Sequence, residues 1–366
     1  MHPSRRLYYL LNLSLSIALT ACGERGIPET SGQLELRNLT ASVSGETPPG
    51  FFDDWLTMSR IARVPTDPNE NNGRTAWENL EVQDTAALRL NNRSAEEPLY
   101  LTRLAVDTTA FTLSQRPELP LEIAPGGSFD LTVTFAASGG ERGVRRGVLD
   151  IGSSGGSAQV QLAGVFMERP EGNDEVNLQQ IVDAFGYTTD IGLEGERLSE
   201  RPDDAPAGDE VRASFWERAN PDEPLYVRQL AAYHGCCDEE NFIELLGRDG
   251  EPLGGFFHAA SYGQSVLPLI SSETGPAELV LPPMQPAEAF EIVVGAPGDT
   301  YSTNTDGNLG VRLWPVIGRD GGVIADTYII AEDYVQQGCG EGFANCDYQD
   351  NVFLITNVQP VTEEAQ

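Results

Sequence analysis

The sequence contains no lysine, and its 23 basic residues are all arginine. Acidic residues number 56, which gives a formal net charge of −33 at pH 7. Because such a surface repels a polyanionic backbone, nucleic acid is excluded as an expected partner. Only three histidines are present, and we find no nucleophile-elbow serine, zinc-protease helix or phosphate-binding loop. The sequence therefore offers no recognisable catalytic motif.

Long apolar runs are scarce as well. The run that ends at Leu19 follows two arginines and is too short to cross a bilayer, which is typical of a signal peptide. Thr20 and Ala21 are small residues of the kind that a signal peptidase needs before its cut, and Cys22 follows them. We therefore predict that residues 1–21 are a signal peptide. Cys22 is then either a lipidation site or a chance residue that follows an ordinary secretory signal.

The four residues from Leu19 to Cys22 resemble the lipobox of bacterial lipoproteins. The resemblance implies cleavage before Cys22, diacylation of its sulfur and acylation of its new amino group, and several acyl chains anchor a protein stably. Residues 22–32 are polar and form the predicted tether. Gly23 follows the cysteine instead of an aspartate, and by resemblance to sorting signals of diderm bacteria this favours the outer membrane. The chain is then expected in the cell envelope, facing the periplasm or the exterior.

The first part of the mature chain carries short segments of alternating polarity. Glycine and proline are plentiful, at 38 and 24 residues, and the segments between them are short. The stretch from Phe129 to Phe135 alternates cleanly after a turn signal, Ala124 to Gly127. Residues 48–79, in contrast, are predicted to be rich in loops. Repeated short strands of this kind predict a β-sandwich over residues 33–167.

Several motifs in this region resemble a Hydin-type Ig-like domain, whose pattern the bacterial choice-of-anchor group shares. They are Asn91-Asn-Arg-Ser94, the Ile-Ala-Pro-Gly-Gly-Ser stretch from Ile123, and the Val-Gln-Leu-Ala-Gly stretch from Val160. The resemblance implies an Ig-like sandwich that serves as a spacer or adhesive module. It carries no catalytic residues, so it implies little about chemistry.

Residues 174–360 form a second predicted domain, again β-rich, with one short helix. The helix is expected from Val176 to Phe185, with Asn173 or Asp174 as its cap and Gly186 at its end. The segment Asp347-Tyr-Gln-Asp-Asn-Val-Phe353 resembles a motif that ends the C-terminal module of bacterial extracellular proteins with a preceding Ig-like module. That family has no established activity, so the resemblance implies architecture and compartment only.

Four cysteines remain after the lipidation site: Cys236, Cys237, Cys339 and Cys346. Outside the cytoplasm an even set of cysteines indicates disulfides. One alternative joins the two late cysteines and leaves a strained bridge between the two adjacent ones. The other alternative pairs each early cysteine with a late one. A zinc site is a third reading, although adjacent cysteines make a poor tetrahedral chelate.

The best candidate for a ligand site is a group of oxygen-bearing side chains near the C-terminus: Glu332, Asp333, Asp347, Asp350 and Asn351. Calcium takes roughly six to eight oxygen ligands from loops of this kind. The sequence therefore predicts a calcium site here. The alternative is an acidic hairpin whose aspartates cap turns through backbone N–H groups.

These observations predict a mostly β, membrane-anchored lipoprotein that binds a glycan or protein partner without catalysis, with calcium ordering its terminal loops. One alternative is an enzyme that acts on envelope or extracellular polysaccharide, and another is a purely structural assembly protein. Six aromatic residues are available to stack on sugars or to fill the second core: Trp216, Tyr233, Phe256, Phe257, Tyr262 and Trp314.

Overall fold

The computed structural model describes residues 32–41, 46–64, 82–170, 175–233, 241–257, 264–271, 275–283, 288–296, 299–304, 307, 309–335 and 346–362. This part of the chain folds into 23 strands and one helix of seven residues. Within these ranges, no helix has the length and apolar character needed to cross a membrane. The predicted fold class, mostly β with an Ig-like sandwich and a second sandwich-like unit, is confirmed.

The first sandwich consists of two sheets that face each other. Its strands are β1 (Leu34–Asn38), β2 (Trp55–Ile61), β3 (Thr85–Asn92), β4 (Leu99–Val106), β5 (Phe111–Leu113), β6 (Leu121–Ile123), β7 (Ser128–Phe135), β8 (Gly143–Ser153) and β9 (Gly156–Met167). One sheet has the order β1-β3-β7-β5, and the other has the order β2-β9-β8-β4-β6. Alternate residues of these strands point inward and form one apolar core.

Strand β2 corrects the prediction of a loop-rich segment at residues 55–61, whereas residues 65–79 of that segment lie outside the described residues. It runs parallel to β9, in register from Trp55 opposite Gln161 onward. Leu56 and Met58 point into the first core, while Thr57 and Ser59 are buried on the opposite face. Polar and apolar residues alternate from Leu56 to Ser59, and the polar face is buried as well because Ser59 contacts Tyr233 and Val266 of the second sandwich.

The second sandwich follows the helix α1 (Leu178–Ala184). Its strands are β10 (Trp216–Arg218), β11 (Leu225–Tyr233), β12 (Phe242–Gly247), β13 (Pro252–Phe257), β14 (Gln264–Val266), β15 (Leu269–Ser271), β16 (Gly275–Pro276), β17 (Glu278–Leu281), β18 (Phe290–Ala296), β19 (Asp299–Ser302), β20 (Val311–Ile317), β21 (Val323–Glu332), β22 (Asn351–Thr356) and β23 (Val358–Pro360). Two six-stranded sheets enclose its core. Their orders are β13-β12-β18-β10-β23, with β19 beside β18, and β14-β11-β22-β21-β20, with β17 beside β11.

Helix α1 is shorter than predicted and has a different cap. Its N-cap is Asn177, whose side chain accepts a hydrogen bond from the Gln180 backbone N–H while the Gln180 side chain bonds back to the cap. The predicted caps at residues 173 and 174 lie outside the described residues, so the cap prediction was misplaced by several positions. Gly186 follows the helix with a φ of +80°, as predicted for its end.

An apolar cluster joins the two sandwiches around α1. It contains Ala163 and Val165 of β9 together with Leu230 of β11 and Leu354 of β22. Polar contacts add to it: the Ser59 hydroxyl lies 3.2 Å from the hydroxyl of Tyr233 and accepts a hydrogen bond of 2.8 Å from the backbone N–H of Val266. The two sandwiches therefore share buried surface, while the predicted domain boundaries stay a prediction.

Candidate functional site

The predicted C-terminal residues meet where β21 ends and β22 begins. Glu332 and Asn351 face each other in the antiparallel ladder, and the Asn351 side-chain amide donates a hydrogen bond of 2.8 Å to Glu332 Oε2. Asp333 follows β21 directly, and Asp347 and Asp350 precede β22. The topology therefore brings together the five residues that the sequence singled out.

The segment that carries Asp347 has an unusual backbone. Cys346 and Tyr348 both have positive φ values, 56° and 55°. Asp333 Oδ2 accepts a hydrogen bond of 2.9 Å from the Tyr348 backbone N–H, and Leu198 donates one of 2.9 Å to the Cys346 carbonyl. These bonds hold a conformation that is unfavourable for residues with a side chain, and they fix Asp347 beside Asp333.

Glutamine side chains and a further glutamate extend the cluster beyond the predicted residues. Glu175 is buried and accepts hydrogen bonds from Gln264 Nε2 at 2.7 Å and Gln349 Nε2 at 3.3 Å. The Gln349 amide also bonds Asp347 Oδ2 at 3.0 Å, which links Glu175 to the C-terminal segment. Gln349 lies within the recognised motif, so its position could have pointed to it. Glu175 follows a polar link and carries no sequence signal.

Burial and mutual repulsion change the protonation of this cluster. Burial first and the charge of Asp347 second raise the pKa of Asp333 to about 7, against backbone hydrogen bonds that lower it. Burial likewise raises the pKa of Asp347 to about 6. The pKa of Asp350 lies well above its ordinary value, first because of burial and then because Asp333, Glu332, Asp347 and Glu175 are near. Some of these carboxyl groups therefore keep their protons at a pH at which an exposed aspartate is ionised.

Carboxylate oxygens of this cluster accept hydrogen bonds from other protein groups. Glu332 accepts from Asn351, Asp333 accepts from the Tyr348 backbone, and Glu175 accepts from two glutamine amides. Among the described residues, no group of three or more His, Cys, Asp or Glu side chains has a geometry that could hold a metal ion. Calcium binding at this cluster therefore stays a prediction of the sequence.

A buried ion pair closes one side of the cluster. Arg312 of β20 donates two hydrogen bonds to the Glu210 carboxylate, of 2.8 and 2.6 Å, and both side chains are about 1% exposed. The guanidinium also lies over the ring of Tyr348, 5.1 Å from its centre. Burial alone would raise the pKa of Glu210, but hydrogen bonds from Arg312 and Arg212 outweigh burial and the pKa lies below its ordinary value.

The described part of the chain contains one of the five cysteines, Cys346. It is buried. The disulfides, including any pairing of Cys346, stay a prediction. The lipidation site Cys22 and the remaining cysteines, 236, 237 and 339, lie outside the described residues.

The six aromatic residues predicted either to stack on sugars or to fill the core differ in their exposure to solvent. Trp216, Tyr233 and Trp314 are fully buried and belong to the apolar cores, and Phe256 is partly buried. Tyr262 lies outside the described residues. Phe257 is different, because 56% of its surface is exposed. Phe257 is therefore the described member of this set with the greatest access to a ligand.

Comparison with known proteins leaves the family open. No protein-family model matches the chain, and no curated protein matches it. Among solved structures, a protein of unknown function from Porphyromonas gingivalis W83 is 17% identical, with 38% of this chain and 50% of that chain covered and a TM-score of 0.24. The PapD-like domain 7 of human CEP192 is 14% identical over 43% of this chain and 98% of that chain, with a TM-score of 0.24.

A third similar structure is the Salmonella enterica SafA pilin in complex with the SafB chaperone. It is 12% identical, covers 80% of this chain and 94% of that chain, and has a TM-score of 0.24. At these values none of the three similarities bears on what this chain does.

Proposed function

We propose that the chain is a lipid-anchored envelope protein that acts by binding a protein partner through its second sandwich. One observation supports this most directly. Phe257 and Val280 are 56% and 48% exposed and lie on edge strands of that sandwich, β13 and β17. Three of the aromatic residues considered for sugar stacking are buried instead. Exposed apolar residues on sheet edges suit contact with another polypeptide more than stacking on a sugar.

The burial of the carboxylate cluster also favours binding over catalysis. Glu332 and Asp333 are 0% and 1% exposed, and their oxygens accept hydrogen bonds from neighbouring strands and loops. A general acid or base must come within hydrogen-bond reach of its substrate. In this arrangement the cluster lies inside the junction between β21 and β22, and the partner binds elsewhere.

Two experiments test this function. First, Cys22→Ser in the full-length protein abolishes incorporation of radiolabelled palmitate and releases the protein from membranes. Second, cross-linking in envelopes of the producing cell yields one partner protein at a fixed stoichiometry, while glycan arrays stay unbound. Hydrolysis of an envelope polysaccharide that Asp333→Asn abolishes would contradict the proposal and establish the enzyme alternative.

Calcium is tested separately at the same cluster. If calcium orders the terminal loops, the unfolding midpoint rises with calcium, falls again with chelator, and no longer responds in an Asp347→Asn variant. An unchanged midpoint removes calcium from the proposed function and leaves partner binding untouched.

A further inference from the structure

Strand β13 forms one end of a six-stranded sheet of the second sandwich. Within the described residues it pairs on one side only, with β12. Its beginning has two features that protect free sheet edges from unwanted pairing, namely Pro252 and a register shift opposite Leu245 and Leu246. The remainder, Gly254 to Phe257, contains neither proline nor a charged residue. This half of β13 therefore offers an unprotected edge to an incoming strand.

The inner side of this edge is apolar. Gly254 pairs with Leu245, whose side chain is buried in the core, and a Cβ added to Gly254 would lie 2.6 Å from a methyl carbon of Leu281. A small cleft between the two sheets lies behind this edge and is lined mainly by apolar side chains: Leu225, Leu245, Leu253, Leu281 and Phe290, with Arg218 and Glu288. An inward-pointing side chain of an added strand would lie on this apolar side of the sheet.

The outer side of the edge combines an apolar and an acidic group. Phe257 lies edge-on against Phe242, with 6.1 Å between ring centres. Gly255 stands opposite Glu244, and a Cβ on Gly255 would lie 2.6 Å from the Ile243 carbonyl oxygen, so the close approach requires glycine. Gly255 therefore places no side chain beside Glu244, which takes part in no ion pair among the described residues.

We infer that β13 is the docking edge for an extended segment of a partner protein, in which apolar residues alternate with lysine or arginine. The inference rests on the proposed function and deepens it. Side chains of a strand alternate between the two faces of a sheet, so one set lies on the apolar side of the edge and the other reaches across Gly255 to Glu244. Backbone hydrogen bonds to β13 supply affinity, and the alternation supplies specificity.

Charge argues for a foreign basic segment over a second copy of this chain. The protein has a net charge of −33, so two copies repel each other. The acidic residues near this edge include Glu244, Glu251 and Glu288, and nearby Arg248 is stacked on the ring of Phe215, 4.3 Å from its centre. This excess of acidic groups attracts a basic segment and repels a second acidic copy of the chain.

The test uses the purified full-length protein and three fluorescent ten-residue peptides at physiological salt. One alternates valine with lysine, one alternates valine with glutamate, and one alternates proline with lysine. The proline peptide keeps the charge but lacks half of the N–H groups that a β-ladder needs. We expect the valine–lysine peptide to bind at least tenfold more tightly than either of the others. Equal binding of the proline–lysine peptide would reduce the effect to charge alone and overturn the inference.

Two variants locate the site. Glu244→Lys weakens binding of the valine–lysine peptide at least tenfold. The same variant binds the valine–glutamate peptide, and this new binding shows that the variant is folded. The matched control Glu122→Lys makes the same charge change on β6, an edge strand of the first sandwich, and leaves both affinities unchanged. Equal weakening by both variants would contradict the assignment to β13.

The remaining outcomes separate this inference from the proposed function. If the wild-type protein is a dimer in sedimentation and Phe257→Ser makes it a monomer, the edge holds a second copy and the inference is wrong. If no peptide binds although cross-linking in the envelope yields a partner, only the docking edge is wrong. If the valine–lysine peptide binds at β13 and no partner is found in the envelope, the proposed function fails and the edge stands.

Discussion

The two sandwiches differ in what they bury. Among the described residues, the buried polar side chains of the first sandwich are uncharged: Asn38, Thr57, Ser59 and Asn92. Those of the second sandwich and its preceding segments include seven charged ones: Glu175, Glu210, Arg218, Arg228, Arg312, Glu332 and Asp333. The first sandwich keeps its ion pairs at the surface, as in Arg89 with Asp130 at 2.7 Å. The same architecture thus has a core without buried ionisable groups in one half, whereas the other half buries ionisable side chains beside its apolar core.

The largest expected effect comes from breaking the buried ion pair. Arg312→Met leaves the Glu210 carboxylate buried without its bidentate partner, which costs about 3 to 5 kcal/mol in the free energy of unfolding. The matched change Arg89→Met breaks an exposed pair and costs about 1 kcal/mol or less. Denaturant unfolding of both variants measures the difference. Equal losses would remove the distinction between the two halves.

The second prediction tests whether the shared apolar cluster couples the sandwiches. Leu88→Ala, in the first core, and Leu230→Ala, in the shared cluster, each cost about 2 to 5 kcal/mol. Because the two halves share buried surface, we expect one unfolding transition that both variants shift as a whole. Fluorescence and far-UV circular dichroism should then give coincident curves. Two separate transitions, each shifted by only one variant, would show that the halves unfold independently.

A smaller effect is expected where a polar contact joins the halves. Ser59→Ala leaves the Tyr233 hydroxyl and the Val266 N–H, both buried, without this partner, and costs about 1 to 3 kcal/mol. Ser114→Ala removes a hydrogen bond of 2.7 Å to Thr134 that is exposed on the first sandwich. Because water replaces that bond, the loss there is about 0.5 kcal/mol or less. If thermal unfolding shows similar losses of stability for both variants, water reaches the Ser59 contact and the prediction is wrong.

The same comparison explains which parts of the fold were predictable. In β3 and β7 one face is buried and the other meets solvent, so residues alternate from Ala86 to Leu90 and from Leu131 to Phe135 and the sequence shows it. Strand β11 is buried at all nine positions, and it includes Arg228 and Gln229. The apolar content of such a segment predicts a strand, but the sequence pattern does not show which residues point to which face of the sheet.

The structure brings the five predicted C-terminal residues together, while the sequence carried no information on what surrounds them. Glu332 and Asn351 could be paired from sequence because an antiparallel hairpin brings the end of one strand to the start of the next. Glu175 and Gln264 reach the cluster from elements far away in the chain, and sequence spacing carries no information on such contacts. Burial of the carboxylates also depends on tertiary packing, so their raised pKa values could not be foreseen.

The central claim is that the second sandwich buries carboxyl groups that keep their protons. An acid whose pKa is raised on folding binds more protons in the folded state, so the free energy of unfolding decreases as the pH rises from the ordinary aspartate range towards about 7, the pKa of Asp333. The slope approaches about 1.4 kcal/mol per pH unit for each such proton. Asp333→Asn removes one of these groups and preserves an acceptor for the Tyr348 N–H. Asp130→Asn is the control, because hydrogen bonding to Arg89 lowers the pKa of Asp130 and its contribution changes only at acid pH.

The most direct test is therefore the free energy of unfolding measured between pH 5 and about 8 for the wild-type protein and these two variants. We expect the free energy of unfolding to fall with rising pH in the wild type and in Asp130→Asn. We expect a shallower fall in Asp333→Asn, which becomes more stable than the wild type at the alkaline end. A wild-type stability that is constant or rises over this interval, or an unchanged slope in Asp333→Asn, would contradict the central claim.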